Sequence, residues 1–246
     1  HFSESALRFD LDRARENNWP ILINGDVLDM ILWQDRKRFS IDAIDPELRH
    51  RSDLITAGID KAEKILAEYA HLIELLGQGN HESAVCKFHS VDPTSILLDR
   101  LRKHGCNASH GGYAGYYVIK MENNYNGKRC GSWSWKLRYH HGVGGNAAVT
   151  KGLIQVNRML TWCADADCIW MGHLHNRVLD NGILRERMDD YGNVKYDDCT
   201  FVYTGAYLTP SPDNPGGWAV EKNFSPQQTG GAEVTVRFYK YRRCLN

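Results

Sequence analysis

The sequence has no net charge: thirty Lys and Arg balance thirty Asp and Glu over 246 residues. A chain without a global positive field has nothing to draw it as a whole onto nucleic acid or anionic lipid, although a local patch could still bind nucleic acid. No apolar run approaches the roughly 20 residues that a bilayer-spanning helix requires, so a soluble protein without a membrane span is expected. None of the 7 cysteines forms a C-x-x-C pair, and their odd number and scatter argue against a disulfide framework or a zinc knuckle. Reduced thiols in a cytoplasmic, intracellular protein are expected instead. There is no internal repeat, no low-complexity tract, no coiled-coil arm and no signal peptide. The chain opens at His1 rather than methionine, so an N-terminal piece is expected to be missing from it. The length fits a single domain, 1–246, able to bury a large core.

What is present is an α-then-β alternation. Ser5 to Asn18 has the spacing of a short amphipathic helix, and Trp19 to Asn24 is a compact apolar strand running into Gly25-Asp26-Val27-Leu28-Asp29. Leu54, Ile55, Ile59, Ala62, Ile65, Leu66 and Tyr69 recur at helical spacing within Ser52 to Tyr69, before a strand near Ile73 to Leu76 that stops at a turn, Gly77-Gln78-Gly79-Asn80-His81-Glu82. A helix capped by Asp92 or Thr94 is expected over Ser95 to Lys103. The texture then changes to alternating aromatic segments, Tyr113 to Met121 and Ser132 to Tyr139, read as a hairpin around Asn126-Gly127. Val149 to Cys163 returns to helical spacing, Cys168 to Met171 is a short buried strand, and Arg177 to Met188 and Val194 to Thr204 are strands flanking a turn. Pro210 to Gly231 is too long for an ordinary connection and is either functional or mobile.

Four stretches share one grammar, in which an apolar strand ends in metal-type ligands: Gly25 to Asp29, Gly79 to Glu82, His140-His141-Gly142, and Gly172-His173-Leu174-His175. Ligands in α/β sheets gather outside the carboxyl ends of strands, so segments far apart in sequence can converge there. Carboxylate, amide and imidazole donors together suit zinc, manganese or iron rather than calcium.

The ordered set resembles the calcineurin-like metallophosphoesterases, whose motifs run D-x-H, G-D-x-x-D, G-N-H-[DE], H-G and G-H-x-H. Four of the five occur here in order, between Gly25 and His175. The resemblance implies a mixed two-sheet β-sandwich flanked by helices, and two divalent metal ions (Mn, Zn or Fe). Asp26 would bridge the ions, Asn80, His141 and His173 would complete one, and His175 would serve the other. A phosphoester, most readily a phosphodiester, would be hydrolysed by metal-bound hydroxide, with His81 acting on the leaving oxygen and Asp29 holding that histidine's tautomer. The first motif is the departure. His1-Phe2-Ser3 resembles its end, so His1 would be a metal ligand whose partner aspartate lies upstream, and the chain is expected to be under-metallated.

Blander readings stand beside these. Asp26 and Asp29 alone are ordinary turn formers and helix caps, a reading that the other motifs outweigh. Neighbouring residues of an extended segment face opposite ways, so only one of His140 and His141 is expected to bind metal; His141 precedes the glycine, leaving His140 to pack, bind phosphate or face solvent. Glu82 reads as a surface acid whose role is open. His89, His104 and His110 read as loop or surface residues, the aromatic alternation as a hairpin's packed face rather than a base-stacking platform, and the basic residues from Arg237 as a solvated strand edge. The substrate, a small molecule or a nucleic acid, is not written in the motifs. A DNA or RNA nuclease of the same superfamily and a non-catalytic protein-binding scaffold are the alternative functions. The retention of His81 favours an enzyme over the scaffold, and the lack of cysteine in the motifs disfavours a structural zinc module.

Overall fold

In the computed structural model of the chain the described residues are 2–33, 35, 36, 39–41, 44–125, 128–145, 150, 152–208 and 229–237. His1, the Asn126-Gly127 turn, Val149 and nearly all of Pro210 to Gly231 lie outside them. The architecture is mixed α/β. The elements in order are α1 (Glu4–Glu16), β1 (Ile21–Ile23), α2 (Leu54–Leu66), β2 (Ile73–Gly77), α3 (Asn80–His89), α4 (Pro93–Arg102), β3 (Ser109–Gly112), β4 (Ala114–Tyr125), β5 (Lys128–His140), α5 (Leu153–Leu160), β6 (Cys168–Met171), β7 (Val178–Met188) and β8 (Val194–Tyr203). No helix among the described residues is long and apolar enough to cross a membrane.

β1, β2 and β3 form a parallel three-stranded sheet in that order, and β4-β5-β6-β8-β7 form a mixed sheet whose β5, β6 and β8 run parallel. Antiparallel partners flank this parallel centre: β4 pairs with β5, and β7 with β8. The largest core cluster joins α1, α2 and α4 to β1 and β2, with Ile59, Leu66, Tyr69, Leu76, Leu97 and Leu101 at its heart. A second packs Val156 and Met159 of α5 against Ile169, Met171, Phe201 and Tyr203. Leu22 of the small sheet packs against Leu137, Cys168 and Val202 of the large one.

Sequence pattern and structure agree where periodicity is strong. The apolar positions anticipated in α2 include Ile59, Ala62, Ile65 and Leu66, all buried, and a 3-10 stretch from Ala67 carries Tyr69 into the core before β2. Asp92 rather than Thr94 caps α4, its carboxylate accepting from the Ser95 N–H at 3.1 Å. Three elements departed from expectation. Asn80-His81-Glu82 is the first turn of α3 rather than a loop, because the Glu82 carboxylate reaches back to accept the Gly79 N–H at 2.8 Å and so starts a helix at once; with only Glu82 and Val85 buried, that helix has almost no apolar stripe to advertise it. β3, with the sequence SHGG, lacks every residue type that marks a strand and owes its place to pairing with β2. α5 is also shorter than the Val149 to Cys163 pattern suggested.

This topology brings four strand ends together. β1 and β2 lead into Asp26 and Asn80, and β5 and β6 into His141 and His173. The Asn24 amide donates to the His140 carbonyl at 2.9 Å, which ties the end of β1 to the end of β5.

Candidate metal centre

The glycines of the motifs are the points where the strand ends touch. A Cβ on Gly25 would stand 2.3 Å from the Gly79 nitrogen, and one on Gly79 would stand 2.0 Å from Asp26 Oδ1. On the other side, a Cβ on Gly142 would meet the Gly172 carbonyl oxygen at 2.6 Å. Any side chain at these positions separates the loops that carry Asp26, Asn80, His141 and His173. Gly79→Ala is expected to cost about 1–3 kcal/mol of stability through overpacking and to weaken metal binding by displacing Asp26; thermal unfolding with and without added manganese would measure both.

Asp26 sits at φ 51°, a left-handed conformation that aspartate tolerates better than most residues. Its backbone N–H donates to Glu82 Oε2 at 3.0 Å, and its Oδ1 accepts the His81 N–H at 3.0 Å. Glu82 is no surface acid. It is 1% exposed and accepts the N–H groups of Gly79, Asp26 and Leu28 at 2.8, 3.0 and 3.1 Å, which fastens the loop after β1 to the start of α3. Burial and the nearby Asp26 charge push its carboxyl up.

Around Asp26 the polar atoms converge. His141 Nε2 lies 3.1 Å from Asp26 Oδ2 and 3.1 Å from Asn80 Oδ1, while His173 Nδ1 lies 2.8 Å from the same amide oxygen. Donor atoms of Asp26, His141 and His173 all fall within 4.8 Å of one another. The other ring nitrogen of His141 is 2.8 Å from the Asn24 carbonyl, which accepts its proton and fixes the tautomer. A neutral His141 therefore turns the lone pair of Nε2 toward a carboxylate oxygen and an amide oxygen. Three acceptors facing one another repel unless the ring is protonated or a cation lies among them, so this donor set fits a divalent cation.

The electrostatics follow from the same contacts. Burial alone would raise the Asp26 carboxyl, but the His141 hydrogen bond and the charge of His81 outweigh it and hold the group at about 2. Burial alone would lower the His141 ring, and the Asp26 bond and charge reverse that, so it is raised. His173 and His175 are both lowered, chiefly by burial, which keeps them neutral and ready as ligands.

His173 and His175 hold left-handed backbones, at φ 68° and 57°, on either side of Leu174, whose side chain is buried in the core beside α5. Leu174 thus anchors a strained turn that presents both rings. His175 lies within electrostatic reach of Asp26, His173, His81 and Asp29 but outside the tight cluster. His1, expected as a further ligand, is not among the described residues.

His81 stands beside the cluster on the first turn of α3. Its Nδ1 is 2.8 Å from Asp29 Oδ1, and its Nε2 is 3.9 Å from Asp26 Oδ2. The Asp29 carboxylate is 68% exposed, while the His81 side chain is only 18% exposed, so an outer carboxylate steers an inner ring. His140 is not part of the tight cluster; its Nδ1 accepts the Gly142 N–H at 2.9 Å. His104 and His110 pair with Glu63 and Asp92 elsewhere.

Asn24, Glu82 and Tyr113 were missed as site residues. Tyr113 packs edge-on against both His140 and His141 at 5.3 Å and donates to the Gly142 carbonyl at 3.1 Å. Only Asn24 and Glu82 left a sequence signal, through adjacency to the glycine-acid and glycine-amide turns; Tyr113 reaches the site through strand pairing. No family model, curated protein or solved structure matches this chain.

Proposed function

We propose that the chain is a metal-dependent phosphoesterase of the calcineurin-like type, hydrolysing a phosphodiester at a two-metal centre. The observation that carries this reading is the convergence of Asp26, Asn80, His141 and His173 beside a His81 ring oriented by Asp29. The finer architecture in this reading is two sheets packed face to face with helices outside, supported by the contact of Leu22 with Leu137, Cys168 and Val202. The thiols of Cys86, Cys106, Cys163, Cys168 and Cys199 are free, which suits a reducing cytoplasmic setting.

Divalent ions held by Asp26, Asn80, His141, His173 and His175 would supply positive charge to the phosphoryl oxygens and acidify a water. The protein's own contribution is positional. With its Nδ1 2.8 Å from Asp29 Oδ1, His81 presents Nε2 toward the centre, where it can stabilise phosphoryl charge or, when protonated, pass a proton to the leaving oxygen. Glu82 keeps the Asp26 and His81 loops at fixed separation through its three N–H contacts. A protein-binding scaffold has no use for a histidine so oriented, which disfavours that alternative.

The test is hydrolysis of a chromogenic phosphodiester against the matching monoester, with manganese and with chelator. Faster diester cleavage that disappears with chelator is the expected result; no cleavage of either by metal-loaded protein would overturn the reading.

A further inference from the structure

A cleft of about 380 Å³ lies between α1 and the segments at 177 and 229–231, and it has no role in the chemistry above. Its wall includes Phe9, Asp10, Arg177, Gly230 and Gly231. Arg177 is exposed and follows His175 by two residues, so its Cα lies within about 7 Å of that of the histidine. Among the described residues no hydrogen bond or ion pair occupies its guanidinium. The one acid of the cleft is already engaged. Asp10 Oδ2 accepts from the Tyr207 hydroxyl at 2.8 Å and from the Gly231 N–H at 3.0 Å, which ties the 229–231 segment to α1. Phe9 is 69% exposed and gives the cleft an aromatic face.

We propose that this cleft is a substrate subsite in which Arg177 holds a second anionic group, a phosphate on a nucleotide-like substituent, remote from the bond that is cleaved. This rests on the phosphoesterase reading, and it names the substrate class: a diester with a further phosphate and an aromatic base. An unoccupied guanidinium offers a planar fork of N–H donors that matches phosphate oxygens in a paired geometry. A base can stack on the exposed Phe9 ring, a contact that tolerates any base because each has a π face. The cleft volume is that of a small-ligand pocket. Binding energy collected here would orient the diester over the metal centre.

Two measurements test it. Titration calorimetry of the full chain with chelator present, so that the metal centre makes no contribution, compares adenosine monophosphate with adenosine. Wild type is expected to bind the monophosphate more tightly, and Arg177→Gln to lose about ten- to a hundredfold of that affinity, the size of a charge-assisted contact; Arg177→Lys should recover part of it. Equal monophosphate affinity in wild type and Arg177→Gln, or none in wild type, overturns the proposal. The second measurement is kcat/KM for thymidine 5′-(p-nitrophenyl phosphate) with and without a 3′-phosphate. Wild type should favour the phosphorylated diester, chiefly through KM, and Arg177→Gln should lose that preference. Cleavage of both diesters with the same preference in wild type and variant overturns the subsite and leaves the phosphoesterase reading standing. Cleavage of neither sinks that reading, and the calorimetry then decides the cleft by itself.

Discussion

His81→Ala is expected to lower kcat by about two to four orders of magnitude, the usual contribution of a positioned proton donor, with little change in bound metal. The reason lies in which atoms the ring touches. His81 contributes its backbone N–H to Asp26 Oδ1 at 3.0 Å, and that contact survives truncation of the side chain. The ring meets Asp29 at 2.8 Å but stands 3.9 Å from Asp26, beside the ligand cluster rather than within it. Elemental analysis of purified variant and parent separates this outcome from ligand loss. A variant with full activity would remove His81 from the chemistry, and one stripped of metal would make it a ligand. Asp29→Asn supplies the finer test: an amide at that position can orient the ring the wrong way round, so turnover should fall and the pH–rate profile should move, with metal content again retained.

Asp26→Asn should lose metal and activity together, because it removes the one carboxylate that the tight cluster holds among the described residues. Asparagine is the informative replacement: it tolerates the left-handed φ of 51° and leaves the volume against Gly79 unchanged, so the chain should still fold. In wild type, metal at a hundredfold excess over its dissociation constant adds about 2.7 kcal/mol to stability, and most of that gain should be absent in the variant. A manganese-dependent rise in melting temperature, present in wild type and equal in Asp26→Asn, would show that Asp26 binds nothing. The acid side of the stability curve gives a metal-free check. The Asp26 carboxyl is held at about 2, below its ordinary 3.8, so it contributes stability fully present above about pH 4 and lost as the pH falls through about 2. Chelated wild type should show that limb, and the variant should lack it.

The chain itself was enough to locate the segments that converge on the candidate site, because each is punctuated. Glycine stops a strand, and a short run of acid, amide or imidazole follows it. It also fixed α2, α4 and the two hairpins, where periodicity or turn chemistry extends over many residues. α3 and β3 were hidden for a shared physical reason: neither buries an apolar face, and each exists through contacts made elsewhere, the capping carboxylate of Glu82 for one and the edge of β2 for the other. Glu82 shows the limit most clearly. Beside a histidine in sequence it looks like a solvated acid, and only the approach of the loop after β1, which brings the Asp26 and Leu28 N–H groups to its carboxylate, makes it a buried clamp. The same holds for His141. The following glycine already singles it out from His140 along the chain, but only the Asn24 carbonyl, 117 residues away, accepts the Nδ1 proton and turns Nε2 toward Asp26 and Asn80. Residue type and order are local properties and can be read along the chain; the direction of a lone pair is set by distant strands meeting at their ends, and that was decided by the tertiary structure alone.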